Sequence, residues 1–192
     1  MARISVTQAI HTHLASIVSE GDRVVDATVG NGHDTIFLAQ TIGEKGHLYG
    51  FDIQNQAIIN SLENLASHQL SSRATLLQKS HAFMDDYIPS RHHGQIKSIV
   101  FNLGYLPGSD KKVTTLPEST IAALNASLKL ISEDGVISIL AYTGHPGGAD
   151  ECDAVKRWST KLPVDSYKTS AINLLPDHNS PPEWILISRV QS

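Results

Sequence analysis

Disulfides, membrane-spanning runs and an excess of positive charge are all missing from this sequence. Cys152 is the single cysteine among 192 residues, so no internal disulfide can form, and we expect a cytoplasmic protein. No apolar run approaches the roughly 20 residues needed to cross a bilayer, and the N-terminus lacks the basic-then-apolar pattern of a secretion signal, so no membrane partner is expected. The net charge of −4 argues against a large surface that grips phosphates by charge alone.

The apolar residues that are present alternate between short continuous runs and helical spacing. Strands are predicted at 22–28, 47–52, 74–78, 96–102, 135–142, 164–174 and 184–190, and helices at 5–19, 34–41, 56–68, 82–87, 117–131 and 150–161. Apolar strands separated by helices imply a parallel sheet covered on both faces. The last two strands are joined by too few residues for a crossover, so the final strand should run antiparallel. The prediction is one α/β domain, residues 1–192, on a seven-stranded Rossmann-like sheet.

A glycine-containing loop follows the first predicted strand. It reads Asp26-Ala27-Thr28-Val29-Gly30-Asn31-Gly32 and leads directly into a helix through His33, Asp34 and Thr35. Gly30 and Gly32 let the backbone approach a ligand closely because they have no Cβ. The helix N-terminus behind them favours a carboxylate, and Asp26 or Asp34 could hold an ammonium group. Alone, the loop is also compatible with an ordinary turn without a ligand.

The second predicted strand adds an acidic partner for this loop. It ends at Asp52, where a carboxylate can accept both ribose hydroxyls of a nucleoside. NAD would satisfy that geometry too. Three features favour S-adenosylmethionine (SAM): the terminal hairpin, a glycine spacing close to the methyltransferase Asp-x-Gly-x-Gly-x-Gly with Thr28 in place of the first glycine, and the end of the third strand, where methyltransferases contact the adenine. The third strand then ends near Ser80 and His81, either of which could contact adenine.

The fourth strand ends in Phe101-Asn102-Leu103-Gly104-Tyr105-Leu106-Pro107-Gly108. Enzymes that methylate amino nitrogens often carry an Asn-Pro-Pro-Tyr motif here, whose oxygens accept hydrogen bonds from the amine and whose aromatic ring packs on the base. Asn102 and Tyr105 keep its first and fourth positions. The alternative is a strand-end asparagine in a turn, with Tyr105 as lid packing.

Two later loops should lie at the same edge of the sheet. Residues 143–148 and 176–182 are rich in Gly and Pro, and each carries a histidine, His145 or His178. Either histidine could be an ordinary solvent-exposed residue; His145, flanked by glycines, is the better candidate to help catalysis. The histidines at 11, 13, 92 and 93 lack the spacing and cysteine partners of a zinc site, so no metal is predicted.

Together, residues 26–35, 101–108 and 144–148 resemble the YtqB family, also called MnmM, over nearly the whole chain. The resemblance implies a class I SAM-dependent methyltransferase that acts on tRNA. Its acceptor would be the aminomethyl group of 5-aminomethyl-2-thiouridine at the wobble position, converted to the methylaminomethyl form. It implies Asn102, Tyr105 and His145 as catalytic residues. The expected cofactor-binding residues are Asp26, Gly30, Asn31, Gly32, Asp34, Thr35, Asp52, Gln54, Ser80, His81 and Asn102.

The expected partner is tRNA, through its anticodon region, and a homodimer is a candidate assembly. A tRNA ligand needs some basic surface, for which the candidates are Arg3, Lys111, Lys112, Lys156, Arg157 and Lys161. The acidic net charge keeps a small-molecule methyltransferase open, and an rRNA methyltransferase would use the same SAM site. A non-catalytic nucleotide-binding module and an NAD-dependent oxidoreductase are weaker alternatives.

Overall fold

A computed structural model describes residues 5–106, 108, 113–173 and 181–190 of the chain. Seven strands form one sheet in the order β3-β2-β1-β4-β5-β7-β6. The strands are β1 (Arg23–Asp26), β2 (His47–Asp52), β3 (Ala74–Gln78), β4 (Ile96–Leu103), β5 (Ile131–Ala141), β6 (Tyr167–Asn173) and β7 (Glu183–Arg189). Strands β1 to β5 pair in parallel, and β7 pairs antiparallel with both β5 and β6. The predicted seven-stranded sheet with an antiparallel last strand is therefore confirmed.

Helices cover both faces of this sheet. They are α1 (Val6–Ala15), α2 (His33–Thr41), α3 (Asn55–Ser67), α4 (Met84–Tyr87), α5 (Pro117–Leu130) and α6 (Gly148–Ser159), with 3₁₀ turns at Ser71–Arg73, His81–Phe83 and Ser90–His92. Successive strand residues point to opposite faces: Val24 packs with α1 and α2, whereas Val25 packs with α4, α5 and α6. No helix in the described ranges is both long enough and apolar enough to span a membrane.

Two boundaries differ from the predicted ones by four residues, and the other boundaries differ by less. Helix α1 ends at Ala15 because the chain tightens at Ser16, whose N–H and hydroxyl both donate to the His13 carbonyl. Strand β5 begins at Ile131, directly after α5, and its register against β4 then shifts before Val136. The predicted start at residue 135 corresponds to the part of β5 that lies beyond this irregularity.

The order of the strands places the functional loops. Strands β1 and β4 are neighbours, while the connections after them lead to opposite faces of the sheet. A crevice therefore opens at the carboxyl ends of β1 and β4, which is where ligands bind in open α/β sheets.

Candidate functional site

A cavity of about 1290 Å³ lies at this carboxyl edge. It exceeds the roughly 300–1,000 Å³ of most small-molecule pockets, so it has room for a cofactor together with part of a substrate. Most of the predicted site residues line it: Gly30, Asn31, Asp34, Asp52, Gln54, Ser80, His81, Asn102, Tyr105 and His145. Asp26, Gly32 and Thr35 do not line it.

The loop after β1 is held between its two neighbouring strands. The Ala27 N–H donates to Val100 of β4 at 2.8 Å, and the Val29 N–H donates to Phe51 of β2 at 3.1 Å. Between them, the Thr28 hydroxyl oxygen accepts the Asn102 N–H at 2.7 Å. The loop is thus fixed by bonds to both sides of the crevice, and Thr28, which stands where a glycine is usual, ties the first loop to the fourth strand.

Gly32 and Gly30 serve different purposes. Gly32 begins α2 with a φ of +78°, and a Cβ there would lie 2.7 Å from the Ser61 hydroxyl oxygen of α3. Gly32 is therefore required for the turn and for close helix packing. Gly30, with a φ of +52°, lies on the cavity wall near Leu106.

Asp52, at the end of β2, bonds to the loop after β1. One of its carboxylate oxygens accepts the Gly30 N–H and the other accepts the Gln54 N–H, each at 2.9 Å. Each oxygen keeps a further lone pair that can accept a hydroxyl hydrogen. The residue is half-buried at the cavity wall, which fits the predicted ribose contact.

Asp34 joins two residues from different parts of the chain. One carboxylate oxygen pairs with His11 Nε2 and the other accepts the Asn102 side-chain N–H. The His11 ring stacks on Phe37 with centroids 3.9 Å apart. An ionised carboxylate accepts hydrogen bonds but cannot donate them. The group of the Asn102 side chain that faces Asp34 must therefore be its NH₂ group. The Asn102 side-chain oxygen is therefore not committed to Asp34.

Asp26 lies beneath the loop instead of beside a ligand. It is fully buried, and its oxygens accept the Thr35 hydroxyl at 2.6 Å and the Thr28 N–H at 3.2 Å. Asp26 and Thr35 thus support the loop from below, and the predicted direct contact of these two residues is corrected to this role. Burial and, after it, the charge of Asp34 raise the pKa of Asp26 to about 7.

The three carboxylates of Asp26, Asp34 and Asp52 make this end of the cavity acidic. Like charges that share a small volume disfavour one another, and Asp26 responds by keeping a proton until near neutral pH. A cationic ligand would relieve this repulsion. SAM, with its sulfonium and ammonium groups, carries the required charge.

His81 and Ser80 form the wall after β3. His81 is buried, and its Nδ1 lies 3.0 Å from the Ala27 carbonyl oxygen. A carbonyl only accepts, so Nδ1 carries the hydrogen and Nε2 is the acceptor. Nε2 is buried and has no hydrogen-bond partner within the described chain. Burial lowers the pKa of His81, which keeps the ring neutral. The Ser80 hydroxyl caps the 3₁₀ turn by accepting the Ala82 N–H at 3.2 Å.

The loop after β4 is held by a different kind of contact. The Gly104 N–H donates to the Thr115 hydroxyl oxygen at 2.9 Å, and that hydroxyl donates to Glu151 of α6 at 2.6 Å. The other Glu151 oxygen accepts the Thr120 hydroxyl of α5, also at 2.6 Å. Glu151 is only 1% exposed, so a buried carboxylate connects this loop to two helices.

Tyr105 and His145 meet at the far wall of the cavity. Their rings pack edge to face with centroids 5.7 Å apart. His145 Nδ1 lies 3.0 Å from the Pro146 carbonyl oxygen, so Nε2 is again the acceptor nitrogen. That atom is covered, with Gly104 and Gly148 beside it, and lacks a hydrogen-bond partner within the described residues. The contact that His145 makes in this structure is therefore the packing of its ring against Tyr105.

Sequence reasoning offers His11 only as a metal ligand, and it does not point to Thr115, Thr120 or Glu151. The buried positions Ile10 and Leu14 place His11 beside the packed side of α1, a signal that was available. The described residues contain no group of three metal-ligating side chains. Arg3, Lys111, Lys112 and His178 lie outside the described residues.

The comparisons with known proteins agree with this geometry. The family model described as "Putative rRNA methylase" matches residues 48–188. The chain is 33% identical over 174 residues, 86% of its length, to the Arabidopsis thaliana protein named tRNA (mnm(5)s(2)U34)-methyltransferase, chloroplastic, and spans 62% of that relative's length.

Solved structures extend the likeness to the fold. A "putative rRNA-methylase" from Clostridium thermocellum is 36% identical with a TM-score of 0.91, covering 99% of this chain and 100% of that one. SMU.1697c from Streptococcus mutans, crystallised with S-adenosylhomocysteine (SAH), is 28% identical with a TM-score of 0.85 and 99% coverage of both chains. An O-methyltransferase from Thermotoga maritima, 14% identical, shares the fold with a TM-score of 0.66. The fold is that of class I SAM-dependent methyltransferases, and the chain belongs to the family described as "Putative rRNA methylase".

Proposed function

We propose that this protein is a SAM-dependent N-methyltransferase that acts on tRNA. Its acceptor would be the aminomethyl group of 5-aminomethyl-2-thiouridine at the wobble position of the anticodon, which becomes methylaminomethyl. The observation that carries the proposal is the hydrogen bond from the Asn102 amide to Asp34, because it leaves the Asn102 oxygen free to accept from an amine. The name of the Arabidopsis relative supports the same substrate.

The cofactor end of the cavity suits SAM by charge and by hydrogen bonding. Asp34 and Asp52 line it, and Asp26 lies beneath it. We assign the ribose hydroxyls to Asp52 and the ammonium group to Asp34, with Asn31, Gln54 and Ser80 as further wall residues. His81 lines the same wall, and its neutral ring would pack against the adenine.

The acceptor end must present a neutral amine in line with the methyl group. When bound, SAM supplies an electrophilic methyl group, and transfer forms a carbon–nitrogen bond while the electron pair of the broken bond stays on sulfur. The Asn102 oxygen accepts an amine N–H and so aims the nitrogen lone pair; positioning of this kind provides much of the rate gain. Tyr105 would pack on the base, and the amine loses one proton. His145 is the candidate acceptor for this proton, a role that requires its covered Nε2 to become accessible.

Alkylamines have a pKa near 10 in water and are mostly protonated at neutral pH. A partly desolvated cavity disfavours the charged form and lowers that pKa. The acidic end acts in the opposite sense, since carboxylates stabilise ammonium. Because Asn102 itself bonds to Asp34, an amine held by Asn102 lies close to this acidic end and must give up a proton to a base before it can act as a nucleophile.

The test uses tRNA from a strain that lacks the gene. The purified protein and methyl-labelled SAM should label this tRNA, and nucleoside mass spectrometry should find the methylaminomethyl nucleoside in place of the aminomethyl one. Labelling of rRNA or of a metabolite extract, with none in tRNA, would contradict the proposal in favour of the alternatives. The cytoplasmic location, the homodimer and the single-domain extent stay predictions.

A further inference from the structure

A basic and aromatic surface continues outward from the cavity along the chain after β3. Lys79, Ser80 and His81 line the cavity. The 3₁₀ turn that follows carries Phe83, and α4 carries Tyr87, whose ring lies beside the Lys79 ammonium group. The turn packs against α5, whose preceding residue Leu116 also lines the cavity. Lys79, Phe83 and Tyr87, here called the 79–87 surface, therefore adjoin the cavity mouth.

The two aromatic side chains of this surface are unusually exposed. Phe83 is 58% and Tyr87 is 43% exposed, whereas Phe51 and Phe101 are fully buried and Phe37 is covered by His11. Phe83 and Tyr87 are four residues apart across a helical turn, a spacing that brings side chains to the same side. Exposed aromatic rings next to a binding cavity are typical of an interaction site.

Lys79 adds a positive charge to the same surface. Its ammonium nitrogen lies 5.4 Å from the centroid of the Tyr87 ring, and no carboxylate of the described chain pairs with it. Within the described chain it is the one Lys or Arg that lines the cavity. Of the two acids on α4, Asp85 pairs with Lys129, and the charge of Asp86 also raises the pKa of Lys129.

The balance of these charges decides which partner fits. A single lysine gains little from phosphates alone, so a duplex backbone or an anionic membrane would be held weakly. Aromatic faces instead bind unpaired bases by stacking, and a nearby cation then meets the backbone phosphate. Sequence-selective proteins commonly hold RNA loops in this way.

We propose that the 79–87 surface binds unpaired nucleotides adjacent to the methylated one, with Phe83 as the stacking platform and Lys79 as the phosphate contact. This inference rests on the proposed function, in which the target lies in an RNA loop. It gives an acidic protein a means of holding RNA that does not depend on a broad basic face.

The experiment measures binding of a fluorescent RNA stem–loop and of a fully paired duplex of equal length, with SAM present. Wild type should prefer the stem–loop. Phe83→Ala and Phe83→Leu should both weaken stem–loop binding about 5- to 100-fold, since neither keeps an aromatic face. Leu62→Ala, at a 46% exposed position on α3, is the matched control and should bind as wild type. Phe83→Trp should bind normally, with quenching of its fluorescence by the RNA.

Three results would overturn the proposal: equal affinity for the duplex, wild-type binding by Phe83→Ala, or wild-type binding by Phe83→Leu. Sedimentation of wild type and Phe83→Ala without RNA should give the same mass; a Phe83-dependent dimer would assign the surface to a second copy instead. Melting temperature and SAM affinity should be unchanged in each variant. Methylation of tRNA that is insensitive to Phe83→Ala would reject this surface alone, whereas Phe83-dependent loop binding without methylation would reject only the proposed reaction.

Discussion

The two ends of the cavity are built in different ways. At the cofactor end, main-chain N–H groups of Ala27 and Val29 bond to neighbouring strands, and the Gly30 N–H bonds to Asp52. At the acceptor end, the loop after β4 has a main-chain bond from the Thr115 N–H to the Gly104 carbonyl, but its link to the helices runs through side chains: the Thr115 hydroxyl joins the Gly104 N–H to Glu151. Main-chain bonds survive most substitutions, while side-chain bonds do not. Single substitutions should therefore disable the acceptor end without loss of cofactor binding.

The largest effect is expected for Asn102→Ala, which removes the acceptor for the amine. Turnover should fall about 10²- to 10³-fold, the usual range for loss of one positioned polar group, because the lone pair is no longer aimed. SAM affinity should change less than about threefold, which corresponds to less than about 1 kcal/mol, because Asp52 and its bond to the Gly30 N–H stay in place. Single-turnover kinetics and calorimetry provide the two measurements, and Asn125→Ala, at an exposed position on α5, is the control. Loss of SAM affinity with turnover intact would make Asn102 a cofactor contact.

The converse is expected for Asp52→Ala at the cofactor end. SAM affinity should fall about 100-fold, because hydrogen bonds to a charged group contribute about 1.5–3 kcal/mol each and the Gly30 N–H also loses its partner. Turnover at saturating SAM should change only several-fold. Titration calorimetry measures the affinity, with Asp165→Ala, an exposed carboxylate after α6, as control. Unchanged affinity would remove the ribose assignment.

The contrast between the two ends also explains what could be predicted from the sequence. Strand ends, glycine spacing and apolar periodicity are local signals, and they located Gly30, Asp52 and Asn102 at one edge of the sheet. Whether a carboxylate next to the loop faces the ligand or the core is not local. Asp26 turns inward because Thr35 and the Thr28 N–H satisfy it there, a fact that depends on packing.

Long-range side-chain networks were the least accessible from the sequence. Glu151 lies 36 residues from Thr115 and 31 from Thr120, so no spacing rule connects them. The family resemblance indicated the acceptor loop, but not what holds it in place. The pairing of His11 with Asp34 across 23 residues was missed for the same reason.

An intermediate effect is expected for Glu151→Gln. This substitution tests whether the hydrogen bonds from Thr115 and Thr120 to Glu151 hold the acceptor loop in place. The amide keeps one accepting oxygen, so only one of the Thr115 and Thr120 hydroxyls retains an acceptor. Turnover should fall about tenfold through small misplacement of the loop, with SAM affinity and the KM for SAM unchanged. Steady-state kinetics with tRNA measures this.

Two substitutions of Thr115 control for a merely structural role of Glu151. Thr115→Ser keeps the hydroxyl and should restore near-normal turnover, whereas Thr115→Val should match Glu151→Gln. If all three variants lose melting temperature and SAM affinity in parallel, Glu151 stabilises the fold in general and does not position the acceptor loop.

The smallest effect concerns the proton on Asp26 and tests whether the cofactor end selects for positive charge. The pKa of this carboxyl is about 7, so it is mostly protonated at pH 6 and mostly charged at pH 8. SAM is cationic, and its affinity should therefore rise a few-fold between these pH values. Asp26→Asn keeps the shape but cannot titrate, and its SAM affinity should lack this rise. Calorimetry at both pH values measures the SAM affinity of the two proteins. Any titration of SAM itself affects both proteins equally, so the comparison of wild type with Asp26→Asn isolates the effect of the Asp26 proton.

The stability of the ligand-free protein provides a second test of whether folded Asp26 is protonated below pH 7. In the unfolded chain this carboxyl titrates near 3.8, against about 7 in the fold, so between these values the folded state holds more protons. The free energy of unfolding should consequently decrease as pH rises from 4 to 7 by more in wild type than in Asp26→Asn. Urea titrations at both ends of that window would show it. Parallel profiles for the two proteins would mean that Asp26 is ionised throughout, and the acidic end would then owe its preference for a cation to Asp34 and Asp52 alone.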